Sequence, residues 1–262
     1  MKQTAINAAL EAGKILRANL GTLKSEQIDL KRKFDYVTRV DRQSEETIIG
    51  IIKSDFPDHS FLAEESLRDK KGGYRWIIDP LDGTTNYIHT YPVFAISIAL
   101  EHEGEIVLGV IYDPTRDELF VAEKGKGATL NGHPIHVSEI DEPSLCLLTT
   151  GFPFRSKDYI DLYLESFKRL FFKMSGVRRL GAVALDFCYL AAGRAEGFWE
   201  IGLSPWDVAA GYLILKEAGG EMTDFAGGDQ PIWTGNVVAS NGLIHNHILE
   251  VVQDVFKGHI EK

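Results

Sequence analysis

Acidic side chains recur in this chain where short apolar runs end. Trp76-Ile77-Ile78 runs into Asp79, and Asp82 follows three residues later, ahead of Gly83-Thr84-Thr85-Asn86. A strand end places a carboxylate rigidly, and two acids three apart around a tight turn can share hard cations, which prefer oxygen ligands. Pro80 has no N–H for a ladder and is expected to stop the strand. Gly83 allows a sharp bend, so that Thr84 to Tyr87 can open a short helix whose free N–H groups receive a phosphate. The alternative is a plain surface turn, because Asp, Pro and Gly favour turns for local reasons. Phe61-Leu62-Ala63 likewise feeds Glu64-Glu65-Ser66, either further ligands or solvated acids at a strand end. Ser204-Pro205-Trp206-Asp207 reads as a helix start, with Ser204 as N-cap, Pro205 in the first turn and Asp207 closing a capping box. An Asp so held can also present an oxygen to a metal.

The elements that must position these groups follow from periodicity. Helical spacing of apolar residues predicts helices over 4–20, 41–54, 158–172, 182–192, 206–218 and 242–256. Shorter runs predict strands over 60–63, 75–78, 93–101, 105–112, 118–122, 145–149, 197–200 and 236–239. Turns are expected at Glu103-Gly104, Asp113-Pro114 and Asn131-Gly132, and Gly219-Gly220 ends a helix. The pattern resets at Asp141-Glu142-Pro143, dividing the chain into an N-terminal α+β part, 1–142, and a C-terminal part, 143–262. Irregular alternation implies α+β layers, with sheets sandwiched by helices. Phe152, Phe154, Phe171 and Phe172 are read as core, and His245-Asn246-His247 as a solvated helix terminus.

The formal net charge of −10, from 28 basic and 38 acidic residues, argues against sequence-independent nucleic-acid binding. An anionic ester would also be repelled, unless bound divalent cations intervene. Cys146 and Cys188 sit among apolar neighbours as buried free thiols, with no zinc-ligand spacing or disulfide framework. No secretory signal is visible at the N-terminus and no stretch approaches a membrane span, so a cytoplasmic enzyme is expected.

The two signatures Trp76 to Asn86 and Trp206-Asp207-Val208-Ala209-Ala210-Gly211, the latter continuing to Glu217-Ala218-Gly219-Gly220, resemble those of the inositol monophosphatase family. Glu64-Glu65-Ser66 and the stretch from Asp35 to Asp41 also match, in the family's order. The resemblance implies a layered αβαβα sandwich of the sugar-phosphatase type, a homodimer, and Mg²⁺-dependent hydrolysis of a small polyol or sugar phosphate, with two or three ions per site. It implies that Glu64, Asp79 and the Leu81 carbonyl hold one Mg²⁺, that Asp79, Asp82 and Asp207 hold a second, and that a weaker third sits near Glu64. Asp41 would pair with Thr84, and Thr84 with Glu64 would orient a water. Asp82, Gly83, Thr84, Gly181, Ala182, Val183, Glu200 and Asp207 would meet the substrate. Glu200 could instead be a solvated strand end and Gly181 a helix cap. Lys31-Arg32-Lys33 corresponds to a loop that closes over the site in the family, or is a solvated charge run. Arg178 and Arg179 could reach a second phosphate or a dimer contact. myo-Inositol monophosphate is the leading substrate, with fructose 1,6-bisphosphate, nucleotide phosphates and histidinol phosphate as rivals. Some bacterial relatives act instead as partners of the transcription machinery, a second class of function.

Overall fold

A computed structural model describes residues 1–32, 35–66, 73–152 and 156–259. In chain order the elements are α1 (Lys2–Asn19), β1 (Ile28–Arg32), β2 (Asp35–Thr38), α2 (Arg39–Asp55), β3 (Ser60–Ala63), β4 (Tyr74–Asp82), α3 (Thr84–Ile88), β5 (Ala95–His102), β6 (Glu105–Asp113), β7 (Glu118–Glu123), β8 (Ala128–Leu130) and β9 (His133–Ile135). The chain continues with β10 (Leu147–Thr150), α4 (Ile160–Phe171), β11 (Gly176–Arg178), α5 (Val183–Ala191), β12 (Gly197–Glu200), α6 (Pro205–Glu217), β13 (Glu221–Asp224), α7 (Pro231–Thr234), β14 (Val237–Ser240) and α8 (His245–Phe256).

Five layers result. A seven-stranded sheet has the order β3-β4-β5-β6-β7-β8-β9, and a five-stranded sheet the order β11-β10-β12-β14-β13. Alternation along β4 shows how both faces of the first sheet are buried. Trp76 and Ile78 join Ala5, Ala8, Ala12 and Leu16 of α1 and Val40 and Ile48 of α2, while Ile77 faces the other way. On that other side α5 and α6 fill the space between the sheets, touching Phe198 and Ala239 of the second sheet. Helices α4 and α8 close its far face over Leu148, Trp199 and Val238. The layering is the αβαβα arrangement expected. The two sheets lie on either side of residue 142, and the apolar layer between them draws side chains from both.

Small residues set the thickness of the central layer. A Cβ on Gly109 of β6 would lie 2.7 Å from the Ala210 carbonyl oxygen of α6, and one on Gly211 would lie 2.4 Å from Cδ2 of Phe187. Ser97 Oγ donates to the Trp206 carbonyl at 3.2 Å, fastening the start of α6 to β5.

Several expectations need correction. Pro80 does not end its strand: β4 runs through to Asp82 across a register shift, Asp79 facing Ser97 and Asp82 facing Ala95. A bulge of this kind lets a ladder pass a residue with no N–H. Phe152, Phe171 and Phe172 are 41%, 51% and 79% exposed rather than core. On α4 the inward stripe is Tyr163, Ser166 and Leu170, and Phe171 falls off it. Phe154 lies outside the described residues. His245 is buried, not solvated, because it contacts Thr223 of β13 (2.9 Å) and Ser240 of β14 (3.1 Å). Both cysteines are buried and free, as expected. No helix of the described residues is long and apolar enough to cross a membrane.

The close approach of β6 to α6 yields a stability test. Gly109→Ala forces a methyl group against a backbone carbonyl and should cost about 1–3 kcal/mol, the usual price of overpacking. A lower urea midpoint with an unchanged m-value is the expected result.

Candidate active site

Strands β3 and β4 are parallel, as are β10 and β12, and the carboxyl ends of all four reach one cleft of about 380 Å³. Its lining includes Glu64 beyond β3, Asp79, Leu81 and Asp82 of β4, Gly151 beyond β10, Glu200 of β12 and Asp207 of α6. A ligand the size of a sugar fits such a volume.

Each carboxylate has its own anchor. Asp79 Oδ1 accepts from the Leu81 N–H at 2.9 Å, inside the bulge. Asp82 Oδ2 accepts from the Ala184 N–H at 2.7 Å, in the first turn of α5. Asp207 Oδ2 accepts from the Ser204 N–H at 2.7 Å, completing the capping box. Glu64 follows a strand whose exit is tied to α2: Glu45, itself buried, accepts from the Glu65 N–H (2.9 Å) and from the Ser66 hydroxyl.

Helix α2 braces the site at two more points. Ser44 Oγ donates to the Pro80 carbonyl at 2.8 Å. Asp41, also buried, closes a capping box with Thr38 through Oδ2 and accepts from the Thr84 hydroxyl through Oδ1 at 3.0 Å. The Thr84 hydroxyl has a second acceptor in reach, the Leu81 carbonyl at 3.1 Å.

The opposite wall is made by Gly181, Ala182 and Val183 at the start of α5. Gly83, in the left-handed region with φ of 91°, sits so close that a Cβ would lie 3.2 Å from the Gly181 carbonyl oxygen. Asn86 Nδ2 clamps this approach by donating to the carbonyls of Val93 (2.8 Å) and Leu180 (3.0 Å).

Burial pushes the Asp79 carboxyl well above the usual range, helped by the fields of Glu64, Asp82 and Asp207. Asp82 is pushed up to about 7, first by burial and then by Asp207. Like charges this near one another disfavour ionisation, as burial does. Among the described residues no three His, Cys, Asp or Glu side chains already converge on a common ligating point. Asp79, Asp82 and Asp207 turn an oxygen to a backbone N–H instead. The cleft lining offers carboxylate oxygens and no sulfur or imidazole, which fits a hard cation such as Mg²⁺.

The sequence reading did not single out Ser44, Glu45, Tyr36, Lys157 or Asp186. Tyr36, Lys157 and Asp186 line the cleft, as does Arg179, which parts company with its neighbour Arg178. Asp186 had a readable signal as the one charge in the apolar helix Val183–Ala191. Thr38-x-x-Asp41 also had one, as a capping box. Of the run Lys31-Arg32-Lys33, Lys33 and the side chains of the other two lie outside the described residues.

Comparison with known proteins places these features in a family. The model of the inositol monophosphatase family matches residues 1–257. The Escherichia coli K12 protein called Nus factor SuhB is 43% identical over 256 residues, 97% of this chain and 96% of that protein. The inositol-1-monophosphatase of Mesorhizobium japonicum is 42% identical over 250 residues, 95% and 94% of the two chains. The crystal structure of the extragenic suppressor protein suhB from Bartonella henselae superposes with a TM-score of 0.92 at 41% identity, covering 98% of both chains.

Crowded acids make stability depend on pH and cations together. A carboxyl whose folded pKa is raised stabilises the fold below its unfolded value near 3.8, and loses that contribution as pH rises through its folded value. For Asp82 the window is therefore from 3.8 to about 7. With chelator present, the melting temperature should fall across that window. Added Mg²⁺ should raise it more at pH 8 than at pH 5, because the cation binds the ionised form. Thermal melts at the two pH values, with and without Mg²⁺, check the difference.

Proposed function

We propose, from the premise that this chain belongs to the inositol monophosphatase family and is a Mg²⁺-dependent hydrolase of small phosphate monoesters such as inositol monophosphate, that myo-inositol 1- or 4-phosphate is its substrate and that the cleft acids divide the work as follows. Glu64, Asp79 and the Leu81 carbonyl hold one Mg²⁺, and Asp79, Asp82 and Asp207 hold a second, with a third near Glu64. When bound, Mg²⁺ supplies the positive charge that offsets the ester and the leaving oxygen, and the acidity that makes water a nucleophile at neutral pH.

The chain's own groups then position and relay protons. In this reading the Thr84 hydroxyl donates to Asp41 Oδ1 at 3.0 Å rather than to the Leu81 carbonyl at 3.1 Å. That leaves a Thr84 Oγ1 lone pair free to accept from the attacking water. Glu64 accepts the proton the water gives up. N–H groups at the start of α3, from Gly83 and Thr84, receive the phosphate oxygens. Asp82 and Asp207 flank the ester oxygen, while Gly181, Ala182, Val183 and Glu200 face the alcohol part. The single observation that carries this reading is that Glu64, Asp79, Asp82 and Asp207 line one cleft.

Two basic residues of the lining, Lys157 and Arg179, favour a second substrate reading, fructose 1,6-bisphosphate, whose far phosphate they would meet. The name of the Escherichia coli relative supports a further role as a regulatory partner of the transcription machinery. Such a role would use the surface and leave the cleft to hydrolysis. We also infer a homodimer, supported by the exposed apolar face of Leu164, Phe171 and Phe172, and a cytoplasmic setting, supported by two free cysteines.

Phosphate release from inositol 1-phosphate should require Mg²⁺. Replacing an outer-shell partner of a metal costs about 10–100-fold, so Asp79→Asn should lose at least about a hundredfold in kcat/KM and should weaken Mg²⁺ binding as well. Titration calorimetry showing unchanged Mg²⁺ affinity in that variant would sink the ligand assignment. Sedimentation supplies a separate check, with Phe172→Glu expected to shift the chain toward monomer.

A further inference from the structure

Asp186 is the cleft residue that the division of labour above leaves unused. It is 1% exposed, yet it lines the cleft. Its Oδ1 and the Oγ1 of Thr149 on β10 approach each other closely enough for the hydroxyl to favour the ionised carboxyl, yet among the described residues neither atom closes a hydrogen bond of ordinary length and angle. A buried carboxyl with a purely structural role closes its hydrogen bonds, because an open one costs the full desolvation penalty. The rest of α5 is apolar, so nothing in the helix itself asks for an acid there. Its largest neighbouring field comes from Glu200, with a smaller one from Asp82. Burial and these fields push its carboxyl well above the usual range, which favours the neutral acid, able both to donate and to accept.

Glu200 is held beside this pair by the lack of a side chain at Gly151, where a Cβ would collide with the Glu200 carboxyl. Asp186 and Glu200 therefore both line the cleft, each feeling the other's field. A sugar-like ring offers hydroxyls on adjacent carbons, each a donor and an acceptor. We propose that Asp186, with Thr149 beside it, is a specificity-determining residue that takes the ring hydroxyl next to the one met by Glu200, so that the cleft selects phosphate esters of vicinal polyols over esters of simple alcohols. The inference rests on the phosphatase reading above and adds to it a residue for a second ring hydroxyl of the substrate. A site built to pair a hydroxyl discriminates sharply against an analogue that lacks it, because its buried polar atoms are then left open.

The test compares inositol 1-phosphate with phenyl phosphate, which has no hydroxyls, both with saturating Mg²⁺. Asp186→Ala should raise KM for inositol 1-phosphate about tenfold, the worth of one hydrogen bond, while changing KM for phenyl phosphate less than about twofold. Asp186→Asn, which keeps a donor and an acceptor, should recover most of the preference. Thr149→Val, which keeps the shape of the side chain, should raise KM for the polyol ester alone and serves if the alanine variant does not fold. Equal losses on both esters, or an unchanged KM for inositol 1-phosphate in the folded variants, would overturn the proposal while leaving the phosphatase reading intact. A wild-type chain that releases phosphate from neither ester would overturn both.

Discussion

Repulsion among carboxylates is the constraint around which this molecule is built. Among the described residues six acids line one cleft, and the pKa values of Asp79 and Asp82 are raised by burial and by their neighbours. Such a cluster opposes folding unless positive charge offsets it. Part of that charge is backbone. Helices α2, α5 and α6 all begin at the site: Asp41 caps the first, the Ala184 N–H of the second binds Asp82, and Asp207 caps the third. Helix N-termini carry partial positive charge, so the fold aims three of them where the acids gather. The remainder is left for cations, which is what makes the cluster useful.

The five layers follow from the need to hold groups from distant parts of the chain in register. Glu64, Asp79 and Asp82 leave the first sheet, and Glu200 leaves the second. Both pairs of parallel strands end at the same face, the usual place for a ligand in sheets of this kind. Asp207 joins them because α6 lies between the sheets, brought close by Gly109 and Gly211. The small residues of Trp206-Asp207-Val208-Ala209-Ala210-Gly211 are thus packing residues as much as a signature. Their size sets how near the α6 carboxylate comes to the β4 pair.

Much of this was legible in the sequence. Apolar periodicity placed the six longer helices and most interior strands, because each has one continuous apolar face. The β1–β2 hairpin, β8, β9, β11, β13 and α7 escaped because they are short, and a few half-buried residues carry no period. At the site, acids at strand ends stood out because a charge after an apolar run is conspicuous. The residues that hold those acids did not. Ser44 and Glu45 look like ordinary polar positions on an amphipathic helix, and only tertiary packing shows them bonded to Pro80 and to Glu65 and Ser66. Pro80 misled for a related reason: local chemistry forbids a ladder bond, but a bulge lets the strand pass through that position to Asp82.

Charge also orders events at the cleft. The chain carries −10 overall, and the acids of the cleft add a local field of the same sign as a phosphate ester. Lys157 and Arg179 offset this in part, but in the proposed reading the phosphate end would face Asp79, Asp82 and Asp207. An ester approaching the bare cluster therefore meets repulsion at its reacting end, while a divalent cation meets attraction. In the proposed reading the carboxylates would hold the cations that offset the ester's charge, and the α3 N–H groups would take the phosphate. At the other end of the cleft the proposed reading needs no such reversal, because hydroxyls carry no charge and can meet acidic groups directly. On that reading, a cation-dependent phosphate end and a cation-independent alcohol end would both follow from where the fold puts its acids.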